Sequence, residues 1–176
     1  MTPHLVAVVL AAVTAAPAGA DAPDLQSGTP VVYLADNLDE QDKLGWCIDT
    51  KGRGFNENLH AHSCKPATRG ISDTQFAYDA DSGHLRSVPF EGKCMQLRDR
   101  ADPVFPFALL DCVDDAVSQR FVHDPNTREL RIGADPSHCV VVATQSTAAG
   151  PFMSRDLLVA LCDSVAEPYK QWIALD

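Results

Sequence analysis

Short apolar stretches separated by turn residues recur along the chain, and this pattern predicts β-strands rather than helices. Two segments align without gaps. Residues 75–86 and 120–131 each contain an apolar run, a turn rich in Asp, Asn, Pro, Ser and Gly, and a second run that opens on Leu85 or Leu130. This order of residues predicts a β-hairpin in each segment. We expect no long helix.

The two hairpins belong to a longer repeat. After each hairpin comes a β-prone run that contains a cysteine, then a turn-rich stretch, then an apolar run that ends at a second cysteine. The three cysteine pairs are Cys47 and Cys64, Cys94 and Cys112, and Cys139 and Cys162. A glutamine beside an aromatic follows each pair, and these aromatics are Phe76, Phe121 and Trp172. Self-similarity of this period indicates one unit of about four strands built three times.

The start of the chain predicts export. Residues 1–20 combine an apolar run, too short to span a bilayer, with a small-residue cleavage pattern ending at Ala20, which is typical of a secretory signal peptide. An uncleaved or lipid-anchored segment is the alternative, although no cysteine lies at the cleavage site to carry a lipid. We expect residues 21–30 to be a flexible leader and residues 31–176 to form one domain.

Six cysteines after an export signal favour disulfide bonds and a secreted or periplasmic protein. The repeat predicts that each pair closes within its own unit. A zinc site is the competing interpretation, but the chain has no CxxC and its pairs are too widely spaced for a zinc knuckle. The net charge of −10 repels nucleic acid and anionic lipid, and no further apolar stretch is long enough to span a membrane.

Three copies of a cysteine pair followed by a Gln–aromatic element resemble the ricin-type β-trefoil, or R-type lectin, family over residues 30–176. The resemblance implies an all-β fold: a β-trefoil of three repeats of about four strands with one disulfide per repeat. It also implies that Phe76, Phe121 and Trp172 are core residues rather than ligand platforms, because the aromatic of the Q-x-W motif is buried in that family.

The same resemblance points to a carbohydrate-binding site in the first repeat only. Asp49, in Cys47-Ile48-Asp49, matches the family's acidic anchor. His60 matches a polar contact, and His62 stands where a Trp or Tyr platform is expected. Asp73, with Thr74, stands where the family has Asn-Gln. His60 and His62 point to the same face of a strand and could line one cleft with Asp49. These three residues could also bind a transition metal, although we expect neither metal nor cofactor. Asp49 could instead simply begin a turn.

The equivalent positions in the other repeats lack both carboxylate and ring. They are Gln96, Ala108 and Leu110 in the second repeat and Val141, Leu158 and Ala160 in the third. We therefore expect a lectin-like protein with at most one sugar site, whose partner is a glycan or glycoprotein. The alternative is a trefoil that binds a protein partner or targets cells, as toxin subunits with degraded sugar pockets do. We do not expect an enzyme, because the chain contains no recognisable nucleophile motif.

Overall fold

The computed structural model describes residues 21–66, 72–102 and 104–176, so the predicted signal peptide, residues 1–20, lies outside the described residues. The described residues form fourteen strands and three 3-10 turns and contain no α-helix, which makes the protein all-β. No helix among them is long and apolar enough to cross a membrane. The strands are β1 (Val31–Leu34), β2 (Trp46–Thr50), β3 (Leu59–Ser63), β4 (Phe76–Asp79), β5 (His84–Ser87), β6 (Lys93–Leu97), β7 (Phe107–Asp111), β8 (Phe121–His123), β9 (Leu130–Ile132), β10 (Asp135–Val142), β11 (Thr147–Ala149), β12 (Phe152–Arg155), β13 (Leu157–Leu161) and β14 (Trp172–Leu175).

The strands form three open antiparallel sheets. One sheet has six strands in the order β11-β12-β3-β2-β1-β14, and two have four, in the orders β4-β5-β6-β7 and β13-β10-β9-β8. In the six-stranded sheet β1 pairs with β14, and β3 pairs with β12 from the last third of the chain. This sheet therefore joins parts of the chain that are far apart in sequence.

The two aligned segments form antiparallel hairpins, β4–β5 and β8–β9, as their sequence predicts. Gly83, in the β4–β5 turn, has φ +75°, and its carbonyl oxygen accepts a hydrogen bond from Phe121 N at 2.8 Å. A Cβ on Gly83 would lie 2.8 Å from the Phe121 carbonyl oxygen. Glycine is therefore required here both for its positive φ and for the close approach of the two hairpins.

The main core lies between the sheets and contains the three aromatics that follow the cysteine pairs. Phe76, Phe121 and Trp172 are at most 1% exposed. They pack with apolar side chains from most of the strands, including Trp46, Leu85, Met95, Phe107, Leu130 and Val140. The Trp172 indole also donates to the Val140 carbonyl oxygen at 2.8 Å. Each buried ring of this size contributes about 1.5–3 kcal/mol of hydrophobic stabilisation.

Three disulfides lie beside this core, between Cys47 and Cys64, Cys94 and Cys112, and Cys139 and Cys162. They close loops of 17, 18 and 23 residues. Each bridge is worth about 3 kcal/mol through restriction of the unfolded chain. Three disulfides in a chain of this size indicate an oxidising compartment, extracellular or periplasmic.

Residues 21–30, the predicted leader, run along the surface of the domain and contact it at several points. Asp24 N donates to the Lys43 carbonyl oxygen at 2.6 Å, and the Gln75 side chain donates to the Thr29 carbonyl oxygen at 2.9 Å. Leu25 packs against the Cys47–Cys64 disulfide.

The acidic loop of residues 36–43 is partly buried. Its Glu40 carboxylate accepts hydrogen bonds from Leu44 N and from Ser63 Oγ, both at 2.7 Å. The loop therefore contacts the end of β3, next to the candidate site.

Candidate functional site

Strands β2 and β3 bring three of the four predicted site residues together. Asp49 lies opposite His60 in the strand register, and Cys47 lies opposite His62. Asp49 Oδ2 is 4.0 Å from His60 Nε2 and 3.9 Å from His62 Nδ1. Asp49 is completely buried, and each histidine is 6% exposed. The two histidines share one face of β3, as strand alternation requires.

A lysine that the sequence analysis did not identify lies between the two predicted acidic residues. Lys65 Nζ is 2.9 Å from Asp49 Oδ2 and 2.6 Å from Asp73 Oδ1. Lys65 therefore links Asp73, which follows the strands, to the cluster on β2 and β3. The sequence feature that could have identified Lys65 is its position directly after Cys64, where β3 has just ended.

Two buried polar atoms in this cluster make no hydrogen bond with the described residues: Asp49 Oδ2 and His60 Nε2. Asp49 Oδ2 nevertheless has an ionic partner, because Lys65 Nζ lies 2.9 Å away. The other Asp49 oxygen accepts from Thr50 N at 2.7 Å. A buried polar atom without a hydrogen-bond partner is costly, so His60 Nε2 reduces the stability of the fold in a way typical of functional sites.

Burial controls the protonation of the cluster. It raises the pKa of Asp49 to about 6, although the Lys65 ammonium opposes the rise. Burial, together with nearby positive charge, lowers the pKa of His60 to about 4. The pKa of His62 is lowered as well, chiefly by burial. Both histidines are therefore neutral at pH 7.

Lys65 keeps its charge despite its environment. Burial acts to remove the charge, but the Asp49 and Asp73 carboxylates outweigh burial and raise the pKa of Lys65. The Lys65 ammonium thus lies between Asp49 and Asp73.

A cleft of about 510 Å³ opens next to this cluster. It is lined by residues 52–54 of the β2–β3 loop, by residues 149–152 of the β11–β12 hairpin, and by the side chains of His62, Lys65 and Asp73. Of the four predicted site residues, His62 and Asp73 line the cleft. Asp49 and His60 are not part of its lining, because they are buried among the strands next to it.

The β11–β12 hairpin is the second feature of the site that sequence reasoning did not identify. β12 pairs with β3, with Ser154 opposite His62. The Phe152 ring lies 5.6 Å from the His62 ring at an interplanar angle of 65°. The third predicted unit therefore contributes one wall of a cleft whose other walls belong to the first unit.

Buried polar contacts hold this hairpin in place. Ser63 Oγ accepts from Met153 N at 3.0 Å while it donates to Glu40. The Arg155 guanidinium is buried, pairs with Asp39 of the acidic loop and lies 4.7 Å from the centre of the Trp46 ring system. The acidic loop thus anchors both β3 and the hairpin that faces it.

The equivalent positions of the other predicted units have the same strand register but different chemistry. Gln96 lies opposite Ala108 and Val141 opposite Leu158, as Asp49 lies opposite His60. A cleft of about 420 Å³ at the third position is lined mainly by apolar side chains such as Val141, Leu158 and Ala160. The carboxylate, imidazole and ammonium groups occur together only in the first of these three places.

The donor set does not fit a metal ion well. The Lys65 ammonium contacts the same Asp49 oxygen that a cation would need, so a second positive charge there would be repelled. Glu129, Cys139 and Cys162 also cluster, but the two cysteines are bonded to each other and offer no thiolate.

Compared with known proteins, the chain matches no protein-family model and no curated protein sequence.

Proposed function

We propose that this protein is a secreted β-trefoil of the ricin-type lectin class that binds one carbohydrate in the cleft next to Asp49. Three features support the trefoil. The same cross-strand register recurs at the three cysteine pairs. The rings of Phe76, Phe121 and Trp172 share one core. β1 also pairs with β14, which brings the first and last strands of the described residues side by side.

One observation carries the sugar-binding proposal: the cleft presents an ammonium and a carboxylate beside aromatic rings. The Lys65 ammonium donates to sugar hydroxyls or to the ring oxygen, and Asp73 accepts from hydroxyls. Charged partners of this kind make stronger hydrogen bonds than neutral ones. Asp49 acts indirectly, since its carboxylate holds Lys65 at the edge of the cleft.

A single open site of this kind binds weakly. A dissociation constant near millimolar corresponds to about −4 kcal/mol. Useful retention on a glycan-covered surface then depends on several copies of the protein or on several sugars presented together.

A glycan array tests the proposal with four proteins: wild type, Asp73→Ala, Asp49→Ala and Asp111→Ala. Asp111 is the matched control, because it pairs with Lys93 at 2.7 Å on the surface, outside the cleft lining. We expect wild type and the control to bind the same glycans and the two site variants to lose them. Glycan binding that survives both site substitutions, or wild type that binds no glycan, would refute the proposal.

A second candidate function is binding to a protein on a cell surface, and one observation favours it. Phe55 is 48% exposed, and its ring packs against Phe90 with the centroids 5.4 Å apart. Phe90 itself is partly buried against the main core, so Phe55 is a firmly supported exposed ring, as occurs at protein interfaces. If this candidate is correct, Phe55→Ser should abolish attachment to enzymatically deglycosylated cells, whereas Asp73→Ala should not.

A further inference from the structure

We propose that Phe152 is the ring against which the bound sugar packs, and that the ligand is a pyranose with one continuous C–H face. This inference rests on the proposed function and identifies the apolar half of the same site. The first predicted unit has no Trp or Tyr at the expected platform position, because His62 stands there. Phe152 comes instead from the last third of the chain.

His62 is poorly suited to be the platform. Its ring is nearly buried, and its Nδ1 donates to the Ser63 carbonyl oxygen at 3.0 Å. The ring also packs against both neighbouring rings, with centroids 5.3 Å from His60 and 5.6 Å from Phe152. Imidazole also offers less apolar surface than a phenyl ring.

Phe152 is better placed to contact a ligand. It is only partly buried and lines the cleft opposite the β2–β3 loop. Its steep angle to His62 means that the two rings form a corner rather than a stack. In such a pair the edge of one ring meets one face of the other, so the Phe152 ring keeps at least one face uncovered by His62.

The support of Phe152 is rigid, which a platform requires. β12 is fixed to β3 by the pairing of Ser154 with His62 and of Arg155 with Ala61. The turn before Phe152 consists of small or cyclic residues, Ala149, Gly150 and Pro151, which leave the cleft open. No strand is described between β6 and β7, at the equivalent place in the second predicted unit. The hairpin is thus an addition to the third predicted unit, and it pairs with β3 of the unit that has the polar groups.

The arrangement matches the two halves of a pyranose. Hydroxyls project toward Lys65 and Asp73, while the C–H face lies on the Phe152 ring, which removes apolar surface of both partners from water. An aromatic contact of this kind is worth about a tenfold change in affinity.

The experiment compares wild type with Phe152→Leu, Phe152→Trp and the control Phe55→Leu. Phe55 is exposed and is not part of the cleft lining. The probes are the free methyl glycosides of galactose, glucose and mannose, titrated by NMR. For a glycoside that binds wild type, we expect the signals of the sugar C–H protons to shift upfield in the ring current of Phe152. Phe152→Leu should bind about tenfold more weakly and lose the upfield shift, and the control should retain both.

Phe152→Trp adds a direct optical signal. The chain has two tryptophans, Trp46 and Trp172, and both are completely buried. An indole at position 152 is therefore expected to change its emission when sugar binds. Wild-type affinity and an unchanged upfield shift in Phe152→Leu would overturn the platform while leaving the proposed function intact. A wild-type protein that binds none of the probes and no arrayed glycan would overturn both.

Discussion

Replacing Asp49 with Asn should stabilise the protein at neutral pH and have much less effect in acid. The Asp49 side chain is buried, and burial raises its pKa from the ordinary value of 3.8 to about 6. Ionisation therefore costs more free energy in the folded protein than in the unfolded chain. Asn has nearly the shape of the protonated carboxyl group but cannot ionise, so the variant avoids this cost.

The direction and size of the effect follow from proton binding. Because the pKa of Asp49 is higher in the folded protein, its contribution to stability is full below pH 3.8 and is lost as the pH rises through 6. One pKa unit corresponds to about 1.4 kcal/mol, so the whole contribution is about 3 kcal/mol. About 2 kcal/mol of it is lost between roughly pH 4 and pH 7. The stability of Asp49→Asn relative to wild type should rise by that amount over the same range.

Urea unfolding at both pH values, with the disulfides intact, measures the free energy of unfolding of each protein. Asp156→Asn is the control, because Asp156 is exposed, and its effect should stay within about 0.5 kcal/mol at both pH values. If Asp49→Asn is instead more destabilising at pH 7 than at pH 4, the reasoning is wrong. The ion pair with Lys65 would then outweigh burial.

Three further predictions concern other residues. Between pH 7 and pH 4, His60→Gln should lose about 3 kcal/mol less stability than wild type. The lowered His60 pKa of about 4 confers stability that is full above pH 6.5 and is lost as the pH falls through 4. Equal losses of the two proteins in urea unfolding would contradict this. Replacing both Cys94 and Cys112 with Ala should cost about 3 kcal/mol in the same assay, and no loss would mean that the unfolded chain is not restricted by the bridge. Gly83→Ala should cost more than about 1 kcal/mol of stability and lower the melting temperature. The backbone at this position has a positive φ, and the added Cβ would meet the Phe121 carbonyl oxygen. An unchanged melting temperature would show that the turn relaxes freely.

The sequence was informative about the fold wherever the signals are local. Turn residues and apolar runs within 75–86 and 120–131 predict the two hairpins, because each hairpin pairs with its own neighbour in the chain. Where the β11–β12 hairpin lies, the sequence predicts only a turn-rich stretch. The residues of β11 are small and β12 shows no clear alternation. Its partner β3 lies about 90 residues earlier, so nothing local reveals that pairing.

In the candidate site, too, the sequence predicts the contacts that are local. Alternation along β3 places His60 and His62 on one face, and the pairing of β2 with β3 brings Asp49 beside them. The depth of Asp49 and the position of Lys65 were not predictable, because both depend on how the chain turns after Cys64. Phe152 was beyond sequence reasoning for a related reason: it reaches the cleft only through tertiary packing.

The pairing of β1 with β14 affects the order in which the protein folds. β1 has β2 as a near neighbour in the chain, whereas β14 follows more than a hundred residues later, and β3 likewise depends on β12. Contacts over such distances form slowly, on a scale of about milliseconds to seconds. Each disulfide, by contrast, spans at most 23 residues. Oxidation of the cysteines can therefore secure each local strand pair first, so that the cleft, which needs β3 and the distant β11–β12 hairpin, is among the last parts to assemble.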